Sequence, residues 1–373
     1  MTKRLWAVLA LLAVGLAFPA TGVSKQTGGT LNMVAWEGYL QPQWVTPFQK
    51  STGCQVHAKY AGSSDEMVTL MRSGGGSQYD MVSASGDASL RLIYGHDVQT
   101  VDPSKVPDFK NFGKAFQSPP NNTVAGKHYG ISLQWGPNTL LYNTKVVKPA
   151  PTSWSVIYGP KYKGKVTVPD NPIQIADAAL YLMKTQPSLG IKDPYELNSN
   201  QFTATINLLK RQKPLIKAYW GLAGQEINMF KNGDAVVGAS WPYQTNTLQA
   251  DKAPVKDLIP KEGATGWLDT WMVSAHTKNI DCAYKWLAWV STPKVQAQQA
   301  IYFGETPVNS KACSIMNTLS KGSCAQYHAN APLKYFKQIY FWKTPIADCG
   351  NGVQSCIPYS EWVNQYRAVK GGQ

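Results

Sequence analysis

Charged side chains are scarce in this sequence. Asp, Glu, Lys and Arg make up 16% of it, against about a quarter in ordinary soluble domains. Hydrophobic residues supply 43%. That balance excludes a disordered, self-repelling chain and points to a packed globular protein. Histidine is rarer still: His57, His96, His128, His276 and His328 are spread along the chain. No Gly-x-Ser-x-Gly and no His-Glu-x-x-His occurs, so a secreted hydrolase would lack its usual nucleophile or metal motif. No Cys-x-x-Cys occurs either, and the histidines do not cluster near cysteines, which argues against a zinc site. Gly74-Gly75-Gly76 follows an expected helix rather than opening one, unlike a phosphate loop. These absences leave no catalytic group, no metal and no cofactor to name. After residue 18 no stretch is apolar enough to span a bilayer. Lys and Arg outnumber Asp and Glu by 36 to 22, yet they are scattered. The excess reads as general surface character, with no nucleic-acid partner.

What is present begins with an export signal. Lys3 and Arg4 precede an apolar run from Leu5 to Phe18, and Pro19 to Gly22 offer small residues for cleavage. Residues 1–22 are expected to be removed, which reduces the formal charge of +14 by two. The signal holds no cysteine, so a lipid anchor is not expected. Export into an oxidising compartment makes the six cysteines a disulfide framework. Six cysteines allow 15 pairings. Local spacing favours Cys313 with Cys324 and Cys349 with Cys356, each bracketing a loop, which leaves Cys54 with Cys282.

The chain has 373 residues, the length of two lobes rather than one domain. Strands are expected at 30–36, Cys54 to Tyr60 and Tyr79 to Ser83. Helices between them carry Trp44, Val45 and Phe48, then Met67, Leu70 and Met71, on one face. Ser63 to Glu66 reads as a helix N-cap. Alternating strands and helices mean a parallel sheet, with ligands beyond the carboxyl ends of its strands. Trp36 to Tyr39 and Ser85 to Asp87 fall at such ends. The 130–145 segment reads as a crossing into a second unit. That unit continues with a strand from Lys165 to Pro169 and helices through Ile175 to Met183, 201–211 and Glu226 to Phe230. An apolar strand from Ala235 ends at Trp241. A strand from Gly266 to Ala275 and a helix from Cys282 to Val290 follow, with Trp271, Trp286 and Trp289 expected in the core.

One four-residue run stands apart. In an extended strand, Gly266-Trp267-Leu268-Asp269 points Trp267 and Asp269 the same way. An indole face attracts a cation and a carboxylate neutralises one. A core tryptophan beside a surface aspartate is the plainer alternative.

In order and spacing, these segments resemble the periplasmic polyamine-binding proteins, the spermidine/putrescine receptors of ABC importers. The residues that carry the resemblance are Ala35-Trp36-Glu37-Gly38-Tyr39, Gln78 to Val82, Trp154 with Tyr162-Lys163-Gly164-Lys165, Trp241, Pro260 to Gly263, Gly266 to Asp269, Gly304 and Thr306-Pro307-x-Asn309. It covers about residues 29–370. It implies an α/β fold of two hinge-linked lobes with a ligand cleft between them. On its crossings, lobe one is expected at 29–135 and 256–303, and lobe two at 136–255 and 304–370. Cys54 and Cys282 would then share a lobe. The resemblance implies an aromatic box with carboxylates: Trp36, Tyr39, Trp241 and Trp267 around the ligand, and Asp269 on its ammonium. A membrane permease is the implied partner, the periplasm the implied location and a monomer the expected state.

The chain departs from that pattern. Where the family has two acids, Asn171 and Gln174 stand. Ala84-Ser85-Gly86-Asp87 replaces its Ser-x-Tyr. Glu305 replaces a tyrosine after Gly304, and Lys343 follows Trp342 in place of glutamine. These changes suggest a less cationic ligand, with Asp87 and Glu305 as further acids. A zwitterionic amino-acid derivative or opine-like solute, its anionic end at Lys343, is therefore the alternative to a polyamine.

Overall fold

The computed structural model describes residues 28–330, 335–349 and 354–371. The expected export signal lies outside them. Fourteen strands occur among these residues: β1 Thr30–Ala35, β2 Gln55–Tyr60, β3 Met81–Ala84, β4 Thr123–Val124, β5 Lys127–His128, β6 Gly130–Pro137, β7 Thr139–Asn143, β8 Val166–Pro169, β9 Ile216–Trp220, β10 Val237–Ser240, β11 Val255–Leu258, β12 Ala264–Val273, β13 Thr306–Pro307 and β14 Ile339–Phe341.

They make two large sheets. The first runs β13-β6-β12-β3-β1-β2, with β14 also on β12, and the second runs β11-β7-β10-β8-β9. β1 pairs in parallel with β2 and β3, and β8 with β9 and β10. Helices link these parallel strands, because a parallel crossover needs a long connection. Several helices start and pack as their residues dictate. Ser63 accepts a hydrogen bond from the Glu66 amide at 3.1 Å and caps the helix Ser64–Arg72. The helix Ile280–Val290 buries Cys282, Ala283, Trp286, Leu287 and Val290, a stripe of helical spacing. Trp271 and Trp286 are fully buried; Trp289 is half-buried and donates to the Trp44 carbonyl at 3.0 Å.

The chain passes from the first sheet to the second at Asn138, the single residue between β6 and β7. It returns between β11 and β12. Strand membership differs from the expected boundaries at three places. β11 lies in the second sheet, while β13 and β14 lie in the first. β13 and β14 are two and three residues long, too short for a periodic pattern. They join the first sheet because β13 pairs with β6 and β14 with β12. The C-terminal helix Tyr359–Gly371 buries Trp362 and Tyr366 in the cluster that holds Phe202 and Leu209 of the helix Ser199–Gln212.

Three disulfides close, Cys54–Cys282, Cys313–Cys324 and Cys349–Cys356, with Cα separations of 5.8, 5.0 and 5.3 Å. Among the described residues no helix is long and apolar enough to cross a membrane.

Candidate functional site

β12 builds the floor of the site. One of its edges pairs with β6 along most of its length. The other edge is shared: β14 pairs with Ala264–Gly266, and β3 begins only at Thr270. Residues 267–269 are thus left without a strand neighbour on that side. The β6 register also shifts between Leu268, which faces Trp135, and Thr270, which faces Ser132, so β6 carries an extra residue opposite Asp269. Bulges commonly re-aim side chains beside functional sites. Trp267 and Asp269 both face one cavity.

The carboxyl ends of three parallel strands converge on this gap. Trp36 follows β1, Ser85 follows β3 at the position before the helix Gly86–Tyr94, and Trp241 follows β10 at the position before the helix Pro242–Ala250. Trp36, Tyr39, Ser85, Trp241, Trp267, Asp269 and Glu305 all line the cavity. Glu37, Tyr243, Phe303 and Trp342 complete it. The rings meet mostly edge to face: Trp241 lies 5.6 Å from both Trp36 and Trp267, and Tyr39 lies 4.8 Å from Phe303. The Trp241 contacts join the two sheet units. Glu37 joins them too, its Oε2 accepting from the Gly224 amide at 3.2 Å, in the first turn of the helix Ala223–Lys231. Two glycines permit the close packing. A Cβ on Gly136 would lie 2.9 Å from the Trp267 ring and 3.2 Å from Glu305 Cγ; one on Gly86 would overlap the Trp342 carbonyl. The enclosed volume is about 20 Å³, room for little more than one water molecule.

Asp269 is the electrostatic centre. It is 1% exposed, and its two oxygens accept from Ser85 Oγ and Tyr39 Oη, each at 2.5 Å. Trp36 Nε1 in turn donates to Ser85 Oγ at 3.2 Å, which fixes the hydroxyl. Burial pushes the Asp269 pKa up to about 7, opposed by the two hydroxyl bonds and aided by the charge on Asp87. Glu305 is 4% exposed, and its pKa is raised well above the usual carboxylate value, by burial first and the Asp269 charge second. Burial and these two acids also raise the Tyr39 pKa, so its hydroxyl stays a donor. Among the described residues, no Lys, Arg or His lines the cavity. No ion pair among the described residues involves Glu37, Asp269 or Glu305.

Four residues expected at the site lie outside its lining. Asp87 sits behind it, fully buried in the first turn of the Gly86–Tyr94 helix, where Oδ1 accepts from Ser64 Oγ at 2.8 Å. It acts on Asp269 through its charge. Asn171 turns its Oδ1 to the Ile173 amide at 3.1 Å. Gln174 donates to Asp177 Oδ2 at 2.5 Å, within a buried cluster that also draws in Asn138 and Thr265. Lys343 pairs with Asp193 at 2.9 Å and Glu196 at 2.5 Å. Its neighbour Trp342 takes the place in the cavity, because the Trp342 amide extends the β14 ladder to the Gly266 carbonyl and its indole donates to Thr265 Oγ1 at 3.2 Å. Sequence reasoning had named Glu37 and Trp342 only inside motifs and had passed over Tyr243 and Phe303. Each lies within two residues of a chosen position. Adjacency was the available signal, and turn and helix geometry decided which side chain points in.

Two sheet units, each with a parallel core, closing strand ends over an acidic aromatic pocket define a solute receptor of the periplasmic binding kind. Residues 43–317 match the bacterial extracellular solute-binding protein family, and the chain belongs to it. It is 26% identical over 318 residues to the spermidine/putrescine-binding periplasmic protein of Escherichia coli K12, covering 84% of this chain and 87% of that one. The putrescine-binding periplasmic protein PotF of the same organism is 27% identical over 305 residues, covering 77% and 80%. Among solved structures, a putative spermidine/putrescine ABC transporter protein from Listeria monocytogenes superposes with a TM-score of 0.77 at 20% identity, over 92% of this chain and 99% of that one.

Proposed function

We propose that this chain is the receptor of an ABC importer for a polyamine or a related amine. The observation that carries the reading is the lining of the small cavity. Three carboxyls, Glu37, Asp269 and Glu305, meet aromatic rings there, with no cationic side chain among the described residues to neutralise them. An alkylammonium satisfies both parts: the rings attract its charge and cover its methylenes, and Asp269 pairs with its head. The names of the relatives in Escherichia coli agree with an amine. The zwitterion alternative loses its anchor, since Lys343 is held by Asp193 and Glu196 and, among the described residues, no cation lines the cavity.

On this reading the protein is exported to the periplasm, acts as a monomer and hands its ligand to a membrane permease without chemical change. Lobe one comprises about 29–137 and 264–341, following sheet membership, and lobe two about 138–258 and the C-terminal helix. Trp241 of the second unit stands against Trp36 and Trp267 of the first, so a ligand held among these rings touches both units and favours the form in which they are close. Calorimetric titration of the exported form with putrescine, spermidine, basic amino acids and betaines tests it. Micromolar or tighter binding of an amine without a carboxylate is the expected result. Binding of only carboxylate-bearing solutes, or conversion of a ligand seen by mass spectrometry, would contradict it.

A further inference from the structure

A second, larger cavity of about 430 Å³ lies on the other side of Glu305, which lines both. The larger one is walled by both units. Thr139, Thr245 and Asp257 come from the second, and Trp135, Thr306 and Tyr335 from the first. Among the described residues, two carboxyls, Asp257 and Glu305, line it, and no Lys or Arg does. The histidine among its lining residues, His328, has its pKa lowered by burial, which favours the neutral ring. Three atoms of its lining residues are buried without a hydrogen-bond partner, Glu305 Oε2, Trp135 Nε1 and Thr245 Oγ1. Glu305 is 4% exposed and Trp135 fully buried. Buried polar groups are seldom left unpaired, and an acceptor of this kind at a cavity wall suits a donor from a ligand. Asp257 is buried enough for its pKa to rise, with the Thr245 and Thr139 hydroxyls favouring its charge. Its charge also acts on Tyr327 and Tyr335 across the cavity.

Volume decides the direction in which a ligand runs. The aromatic cavity holds about 20 Å³, too little for a whole diamine in this arrangement. Ligand pockets commonly measure ~300–1,000 Å³, a range that the neighbouring cavity meets. Towards Asn171 and Gln174 the side chains are neutral and already bonded. Beyond Glu305 there is space, a second carboxyl at Asp257 and an unpaired acceptor.

We propose that the larger cavity is a second amine subsite: a ligand with one ammonium at Asp269 runs past Glu305 and places another beside Asp257. The proposal rests on the amine reading of the aromatic cavity. It assigns Asp257 as the residue that separates polyamines from monoamines of similar apolar size.

The experiment titrates wild type, Asp257→Asn and Asp269→Asn with n-butylamine, putrescine, cadaverine and spermidine. Wild type should bind at least one of the polyamines tenfold or more tightly than butylamine. Asp257→Asn should abolish that advantage, and Asp269→Asn should weaken every amine. Gln249→Trp, placed on the cavity wall at an exposed helix position, provides a second reading in a fold undisturbed at its core. It too should remove the advantage. An advantage that survives both Asp257→Asn and Gln249→Trp would overturn the second subsite while leaving the amine receptor intact. Failure of wild type to bind any amine would overturn both.

Discussion

Amine binding by this protein should depend steeply on pH, because its main charge partner is protonated below about pH 7 when the site is empty. Burial raises Asp269 from 3.8 to about 7. Three units correspond to roughly 4 kcal/mol opposing ionisation in the free folded protein. The sign follows from proton counting. Between about pH 4 and pH 7 the unfolded chain has released this proton and the folded one keeps it, so this group makes the free protein less stable as pH rises. An ammonium reverses the preference, since it needs the carboxylate. Affinity should therefore climb with pH up to about 7 and level off above it. At pH 5 about 1% of Asp269 is ionised in the free protein, so affinity should be about 100-fold weaker than its plateau, or ~2.7 kcal/mol. Glu305, raised by burial and by Asp269, steepens the slope in the same direction. Calorimetry with putrescine or spermidine at pH 5, 6, 7 and 8, in buffers of differing ionisation enthalpy, reads both affinity and protons released. Asp269→Asn should bind weakly and remove Asp269's share of the slope. A flat affinity from pH 5 to 8 with no proton release would refute the assignment of Asp269 as the ammonium's partner.

Three further substitutions probe other parts of the account. Trp241→Ala removes the ring that bridges Trp36 and Trp267; amine affinity should fall about 10–100-fold by calorimetry, with the circular dichroism spectrum retained. Asn171→Asp should leave amine affinity within about twofold, because that side chain faces the Ile173 amide rather than the cavity; a tenfold gain would place it in the site. Replacing both Cys54 and Cys282 by Ala opens a link across 228 residues. It should cost ~2–4 kcal/mol in denaturant unfolding without loss of ligand binding.

Periodicity exposed the parallel cores early. The first three strands, their linking helices and the apolar stripe of the Ile280–Val290 helix are long-range features written in local pattern. Period-two alternation also put Trp267 and Asp269 on one side, and both line the cavity, although a bulge interrupts the register there. Short pairings were not legible. β13 and β14 hold too few residues to show a period, and only their neighbours β6 and β12 place them in the first sheet. Residues in turns escaped for a related reason. Alternation says nothing about Glu37, which lies in a turn and reaches the second unit at Gly224. At the Trp342–Lys343 pair, charge drew attention to the lysine. The ladder bond from the Trp342 amide turns the indole inward and leaves Lys343 to Asp193 and Glu196. Burial also has no sequence signature for Asn171 and Gln174, whose neutral side chains serve the backbone and Asp177.

A crystal structure of the exported form with spermidine bound bears most directly on the central claim. The account predicts a ligand ammonium within hydrogen-bond distance of an Asp269 oxygen, among Trp36, Trp241 and Trp267. An ammonium held elsewhere, with Asp269 still engaged only by Ser85 and Tyr39, would contradict it.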